Sequence, residues 1–500
     1  MKKLPLGMGN VVGLALGPIL LIIVLMLPLP LSGGQQRLLG LMLLTVAYWG
    51  TGALPIPITS ILALALATLL GIAPANEIFR AFSSPIIFLL IGEFIITQSM
   101  IKYGLGRRMA LHILDLPGVA KSTYRIIIVF GAVAVVLASV INSAAVAATM
   151  VPIAVGLVEA LSPAIRSEIG APNSKNPLRF STALMLITAY GSVVGGLMTP
   201  FGDPSNLVGW FFMQKRFHIS FPVGTWIIFA APVVVAQLVI ISIIVLVMNR
   251  PEIGLIPKAA AIIKQQKGGL GPMSNGEINT AIAFCLAIIL WLLPSVVGFV
   301  MGYRAPEYAL LRARLSPAVG AIFGATLLFI LPVSLADGFT LQWRDTRKMD
   351  WGPVLLVGSS VALGKLMAMT GLAKVVGDGL AHNVSGVGAL GVYLFAATIA
   401  ILFSELTTNL ASVSVLVPIV PALALAGGGN PLEATIMATF AGVYGFALPI
   451  STSANAIVYA SGEIPFLSMV KTGILVDFSG IVVVVAGVRL VFYLLGAHIA

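Results

Sequence analysis

Apolar runs recur from one end of the chain to the other, at about 11–31, 38–52, 54–72, 84–101, 222–248, 276–299, 315–335, 352–370 and 471–496. A bilayer offers a backbone no hydrogen-bond partner, so runs of this length predict transmembrane helices. Two further runs, 180–213 and 432–460, are helical in pattern but broken in the middle. Two more, 125–162 and 388–426, fold back on themselves about Asn142-Ser143 and Thr407-Thr408-Asn409 and are expected to be re-entrant hairpins. The whole predicts an all-α polytopic membrane protein with about eleven transmembrane helices and two hairpins. The first apolar stretch follows Lys2 and Lys3, lacks a clear small-residue cleavage site and is taken as a retained helix.

The breaks share a layout. The first reads Thr199-Pro200-Phe201-Gly202-Asp203-Pro204-Ser205-Asn206, and the second Leu448-Pro449-Ile450-Ser451-Thr452-Ser453-Ala454-Asn455. Pro200 precedes Asn206 by the same interval that separates Pro449 from Asn455, and the two asparagines stand 249 positions apart. Proline removes a backbone donor and ends a helix. The freed polar groups must then be packed in protein or line a cavity, which is where transporters place their sites. The hairpins match as well: Ser143 and Asn409 each precede a Pro-Ile pair, at Pro152 and Pro418, by nine residues. Five full crossings and one hairpin per half imply an inverted repeat. The expected division is an N-terminal helix (1–36), a first repeat (37–250), a cytoplasmic linker (251–275) and a second repeat (276–500).

Composition agrees: 59% of the 500 residues are hydrophobic and 9% charged, with a mean hydropathy of +1.07. The formal net charge of +11 would suggest nucleic acid in a soluble chain. Here the positive-inside rule accounts for it and excludes that partner, placing the N-terminus in the cytoplasm, the C-terminus outside and the chain in the plasma (inner) membrane. The basic segment 102–125 is expected to be a solvated amphipathic face. The one cysteine, Cys285, is expected to be packed, and His112, His218, His382 and His498 are scattered without ligand spacing. No catalytic triad, phosphate loop or metal cluster is legible, and an enzyme is not expected.

At these residues the chain resembles the divalent anion/sodium symporter family, the INDY-type dicarboxylate transporters. Residues 48–60, with Trp49, Thr51, Pro55, Pro57, Thr59 and Ser60, carry the resemblance, together with 350–374, the hairpin tip 404–409 and the break 448–458. The resemblance implies a homodimer whose mobile transport domain moves as an elevator against a static scaffold. It implies sodium at Asn142, Ser143 and the backbone of Gly202, and again at Ser404, Thr407, Asn409 and Ser451. Substrate is assigned to Ser143, Thr408, Asn409, Thr452 and Ser453, with Asn206 and Asn455 alongside. The pattern departs at Ser143, where asparagine is usual, at both tips, which lack a final threonine, and at Asp203, where a small hydroxyl is usual. Glu93 is a further unexpected charge.

Hydroxyls, amides and helix N-termini bind an anion without a fixed cation, and the same oxygens suit sodium. The expected function is therefore sodium-coupled symport of small divalent anions, such as C4 dicarboxylates, with Asp203 as a coupling residue for a cation or a proton. A sodium-independent exchanger of the same fold, a sulfate or other oxyanion carrier, a channel and a membrane-embedded enzyme remain open as alternatives. Glu405 is expected to orient its hairpin tip.

Overall fold

The computed structural model describes residues 8–495 apart from 171–175, 220, 256–258, 335, 337 and 385. Lys2, Lys3 and His498, used above for topology and ligand spacing, lie outside the described residues, as does the side chain of His382. The chain is almost entirely helical; its one sheet among the described residues is a short two-stranded hairpin, Pro332–Ser334 with Gly338–Phe339.

Among the described residues, seven helices are individually long and apolar enough to cross a membrane. They include Pro85–Tyr103, Val223–Met248, Asn275–Met301, Gly352–Thr370 and Phe466–Leu494. Several expected spans are shorter. The helix Ile56–Leu69 has 14 residues. The run 315–335 is helical only over Pro317–Leu327, then tightens through short turns into the β-hairpin. Leu328 and Ile330 stay apolar past the helix end, so hydropathy alone does not show where it stops.

The core is built around Arg179–Gly196, in which every residue from Phe180 to Gly196 is buried. A helix apolar on all sides must be enclosed by others, and Thr123–Ala138, Ser143–Glu168, Val223–Met248 and Ser453–Tyr459 surround it. Contact with Thr123–Ala138 is close because Gly195 carries no side chain: a Cβ there would lie 2.5 Å from the Val135 carbonyl oxygen. Small residues are what let membrane helices approach this nearly. A second, smaller apolar cluster joins Gly33–Thr51 and Ile56–Leu69 to Gly352–Thr370 through Leu38, Leu41, Leu64, Leu363 and Leu366.

The first expected hairpin forms from Thr123–Ala138 and Ser143–Glu168, turning at 139–142; its second arm, of 26 residues, is itself long enough to span. The second forms from Gly388–Leu406 and Asn409–Leu416, continued after a 49° bend by Val420–Ala426. The broken helices are Arg179–Gly196 with Pro204–Phe217, and Pro431–Ala441 with Ser453–Tyr459. Pro431–Ala441 ends earlier than its apolar run suggested, which lengthens the second break.

Two expectations are corrected. Arg108, assigned to a solvated face, is buried: it pairs with Glu277 at 2.6 Å and donates to the carbonyls of Leu270, Gly271 and Pro272, fastening the linker to Leu105–Leu114. Cys285, expected to be packed, is exposed on the outside of Asn275–Met301.

Candidate functional site

Four helices begin at one place. Asn142 caps Ser143–Glu168 by accepting from the Ala144 N–H at 2.9 Å. Asp203 caps Pro204–Phe217 through the Ser205 N–H at 2.9 Å. Thr408 caps Asn409–Leu416 through the Ala411 N–H at 3.3 Å, and Thr452 caps Ser453–Tyr459 through the Asn455 N–H at 3.0 Å. Asn, Asp and Thr are favoured here because the side-chain oxygen satisfies a first-turn N–H that has no partner within the helix. The residues that break the long helices are thus also the ones that restart them.

All four starts face one cavity of about 850 Å³. Its lining includes Asn142 and Ser143 from the first tip, Asp203 and Ser205 from the first break, Thr408 and Asn409 from the second tip, and Ser451, Thr452 and Ser453 from the second break. The second half of each broken helix packs against the opposite hairpin: Pro204–Phe217 against Asn409–Leu416, and Ser453–Tyr459 against Ser143–Glu168. That exchange of partners brings the motifs together. With four helix N-termini converging, the cavity carries partial positive charge suited to an anion.

Asn206 and Asn455, expected at the substrate, are placed elsewhere. Each is fully buried, away from the lining, with its amide turned onto its own helix. Asn206 Nδ2 donates to the carbonyls of Gly196 at 2.7 Å and Thr199 at 3.0 Å; Asn455 Nδ2 donates to those of Gly445 at 2.8 Å and Leu448 at 3.1 Å. Acceptors sit at the same offsets in both, and each bridges the gap left where a helix stops. Among the described residues, neither Oδ1 atom, both of them buried, has a hydrogen-bond partner.

Gly202, Ser404 and Thr407 do not line the cavity but lie behind it. A Cβ on Gly202 would lie 2.5 Å from the carbonyl oxygens of both Ala138 and Gly196, so two backbone oxygens converge there. At the second break, Ser404 Oγ donates to Asn409 Oδ1 at 2.8 Å, and Ser451 Oγ lies 3.1 Å from the Gly445 oxygen. A Cβ on Gly445 would come within 3.2 Å of Ser404 Oγ and 3.5 Å of Ser451 Oγ. These neutral oxygen clusters fit a hard cation such as sodium. Thr407 Oγ1 is instead turned back to the Phe403 carbonyl at 2.6 Å.

Asp203 ties the first break to the first tip. Its Oδ1 accepts from the Ser205 hydroxyl at 2.5 Å and its Oδ2 from Ser143 Oγ at 3.5 Å. Glu405 holds the second break rather than its own tip, accepting from the N–H groups of Ala447 at 2.7 Å and Leu448 at 3.0 Å. Asp477, on the last helix, takes the Phe446 N–H at 3.3 Å. The sequence reading missed Lys348, which lies on the cavity wall with Gln98 and Asp350. Its only signal was its place at the end of a basic segment just before Gly352–Thr370.

A bundle of apolar helices that buries two hairpin tips and two helix breaks around one polar cavity has the architecture of a membrane transporter. The chain belongs to the family described as "Sodium:sulfate symporter transmembrane region", which it matches over residues 10–497. It is 28% identical over 495 residues to the "Sodium-dependent dicarboxylate transporter SdcS" of Staphylococcus aureus strain USA300, covering 97% of this chain and 91% of that protein. The SdcS of strain NCTC 8325 matches with the same identity and coverage. Among solved structures, the Alcanivorax borkumensis YdaH transporter aligns with a TM-score of 0.51 at 12% identity, covering 93% of this chain and 99% of that one, a likeness of fold.

Proposed function

We propose that this protein is a sodium-coupled symporter of small divalent anions, with C4 dicarboxylates such as succinate as substrate. The observation that carries the reading is the convergence of four capped helix starts on one cavity lined by hydroxyls and amides. The sodium dependence and the dicarboxylate substrate printed in the name of SdcS support it.

In this reading Ser143, Thr408, Asn409, Thr452 and Ser453 receive the substrate carboxylates. Sodium loads behind them, at Asn142, Ser143 and Gly202 and at Ser404, Asn409 and Ser451, with Thr407 turning to join. Tip residues shared between ion and anion give the coupling, because a cation at the tip completes the positive environment that the dianion needs. The two repeats are related by inversion, and the hairpins and broken helices move together as an elevator. The separate packing of the N-terminal helices with Gly352–Thr370 supports a static part for them to move against. The functional unit is a homodimer in the plasma membrane, with the N-terminus cytoplasmic.

The test is uptake of labelled succinate into proteoliposomes with and without an inward sodium gradient, and again with unlabelled dicarboxylate inside. Sodium-driven uptake into empty vesicles is expected. Uptake only into preloaded vesicles, indifferent to sodium, would establish exchange, and no uptake in either would dismiss dicarboxylates.

A further inference from the structure

Glu93 lies within Pro85–Tyr103, a helix whose Phe94, Thr97, Gln98 and Ile101 line the cavity. The residue is 2% exposed. Neither of its carboxylate oxygens has a hydrogen-bond partner among the described residues. Its charged neighbour is Asp203, on the cavity wall. The helix of Glu93 packs against Pro204–Phe217, the helix that Asp203 caps, and neither carboxyl group has a lysine or arginine paired to it among the described residues.

That arrangement is costly as it stands. A buried carboxylate without a partner is among the least tolerated groups in a membrane interior, and persists there when it serves an ion pathway. Asp203 has its own donors in Ser205 and Ser143; Glu93 has none. A dianion arriving beside Asp203 worsens the balance, since like charges repel more strongly in a low-dielectric interior than in water. What the site lacks is a positive charge to balance these two acids.

We propose that Glu93 and Asp203 together hold a hard monovalent cation, sodium, at a site separate from the oxygen clusters at Gly202 and Gly445. Glu93 supplies otherwise unsatisfied oxygens and Asp203 the shared edge with the anion cavity. Occupancy cancels the repulsion that would exclude a dianion, which makes this cation a condition for substrate binding. A divalent ion held by two buried carboxylates would leave too slowly for a site that loads and empties in every cycle. The inference rests on the sodium-coupled reading but is tested without it.

The experiment counts bound ²²Na⁺ per chain at equilibrium, using full-length protein in liposomes without substrate, for wild type, Glu93→Gln and Asp203→Asn. Each variant should bind one sodium fewer than wild type. Glu93→Asp, which keeps the charge but shortens its reach, should keep the count with at least tenfold weaker binding. Unchanged sodium counts in both neutral variants would overturn the proposal. So would retention of the full wild-type ²²Na⁺ count in excess acid, which must empty a site built on carboxylates, or loss of that one sodium to a small amount of Ca²⁺. If Glu93→Gln does not fold, the Asp203→Asn count decides alone. A wild type that takes up no dicarboxylate, yet loses one bound sodium in each variant, would refute the substrate reading and leave the cation site standing.

Discussion

Replacing Asn455 separates a structural role from a ligand role. Its amide donates to the carbonyls of Gly445, buried in the second break, and Leu448, half-buried there. Asn455→Leu keeps the branched shape and removes the donors. Two carbonyl oxygens lose their partner, at about 1–3 kcal/mol each. The unpartnered Oδ1 disappears at the same time, which returns one contribution of that size. The net loss is then about 1–3 kcal/mol, and Asn455→Ala should lose slightly more because a small void is added. Asn206→Leu should behave alike, since its amide spans the first break in the same way. The assay is thermal inactivation of the detergent-purified protein beside the KM for uptake of the variants that survive reconstitution. Lowered stability with an unchanged KM is expected. Normal stability with a raised KM would refute the reasoning and return both asparagines to the substrate.

Other perturbations have equally defined outcomes. Gly202→Ala drives a methyl to within 2.5 Å of two backbone oxygens that cannot swing aside, so it should cost about 1–3 kcal/mol or more and weaken sodium dependence measured as the half-saturating sodium concentration. Lys348→Ala removes an exposed positive charge from the cavity wall. At about 8 Å in a water-like dielectric a dianion loses about 1 kcal/mol, so KM should rise about fivefold, an effect that shrinks with added salt. Burial raises the Asp345 carboxyl, but the Gln342 N–H and the Lys102 ammonium outweigh it and hold the group below the usual carboxylate range. A depressed folded pKa gives stability that is present above the unfolded value of about 4 and is lost as pH falls through the folded one. Wild type should therefore lose its thermal-stability advantage over Asp345→Asn on acidification below about pH 4; a constant difference across that range would disprove the assignment.

The helix breaks and tips were legible in the sequence because proline and clustered hydroxyls are expensive in hydrocarbon and have to be explained. The spacing of Pro200 and Asn206 against Pro449 and Asn455 tied the breaks to each other before any coordinates. Direction was not legible. Nothing in the order of residues says that the Asn206 and Asn455 amides turn to their own backbone while Thr452 and Ser453 turn to the cavity. Nor does hydropathy distinguish Pro317–Leu327 from the apolar residues just after it, since both read as membrane. Lys348 was hidden because its neighbours Arg344 and Arg347 made it look like one more loop charge, and Arg108 was hidden because Glu277, its partner, lies in the other half of the chain.

Asp203 and Thr452 stand 249 positions apart and cap two helices whose starts line the same cavity. Two like half-sites would present a symmetric guest with two indistinguishable poses, and a lopsided guest with two nearly equal ones. A carboxylate at one of these caps and a hydroxyl at the other removes that degeneracy. The cavity is therefore chemically unequal at its two caps, and a molecule whose ends differ is expected to bind with a defined head and tail.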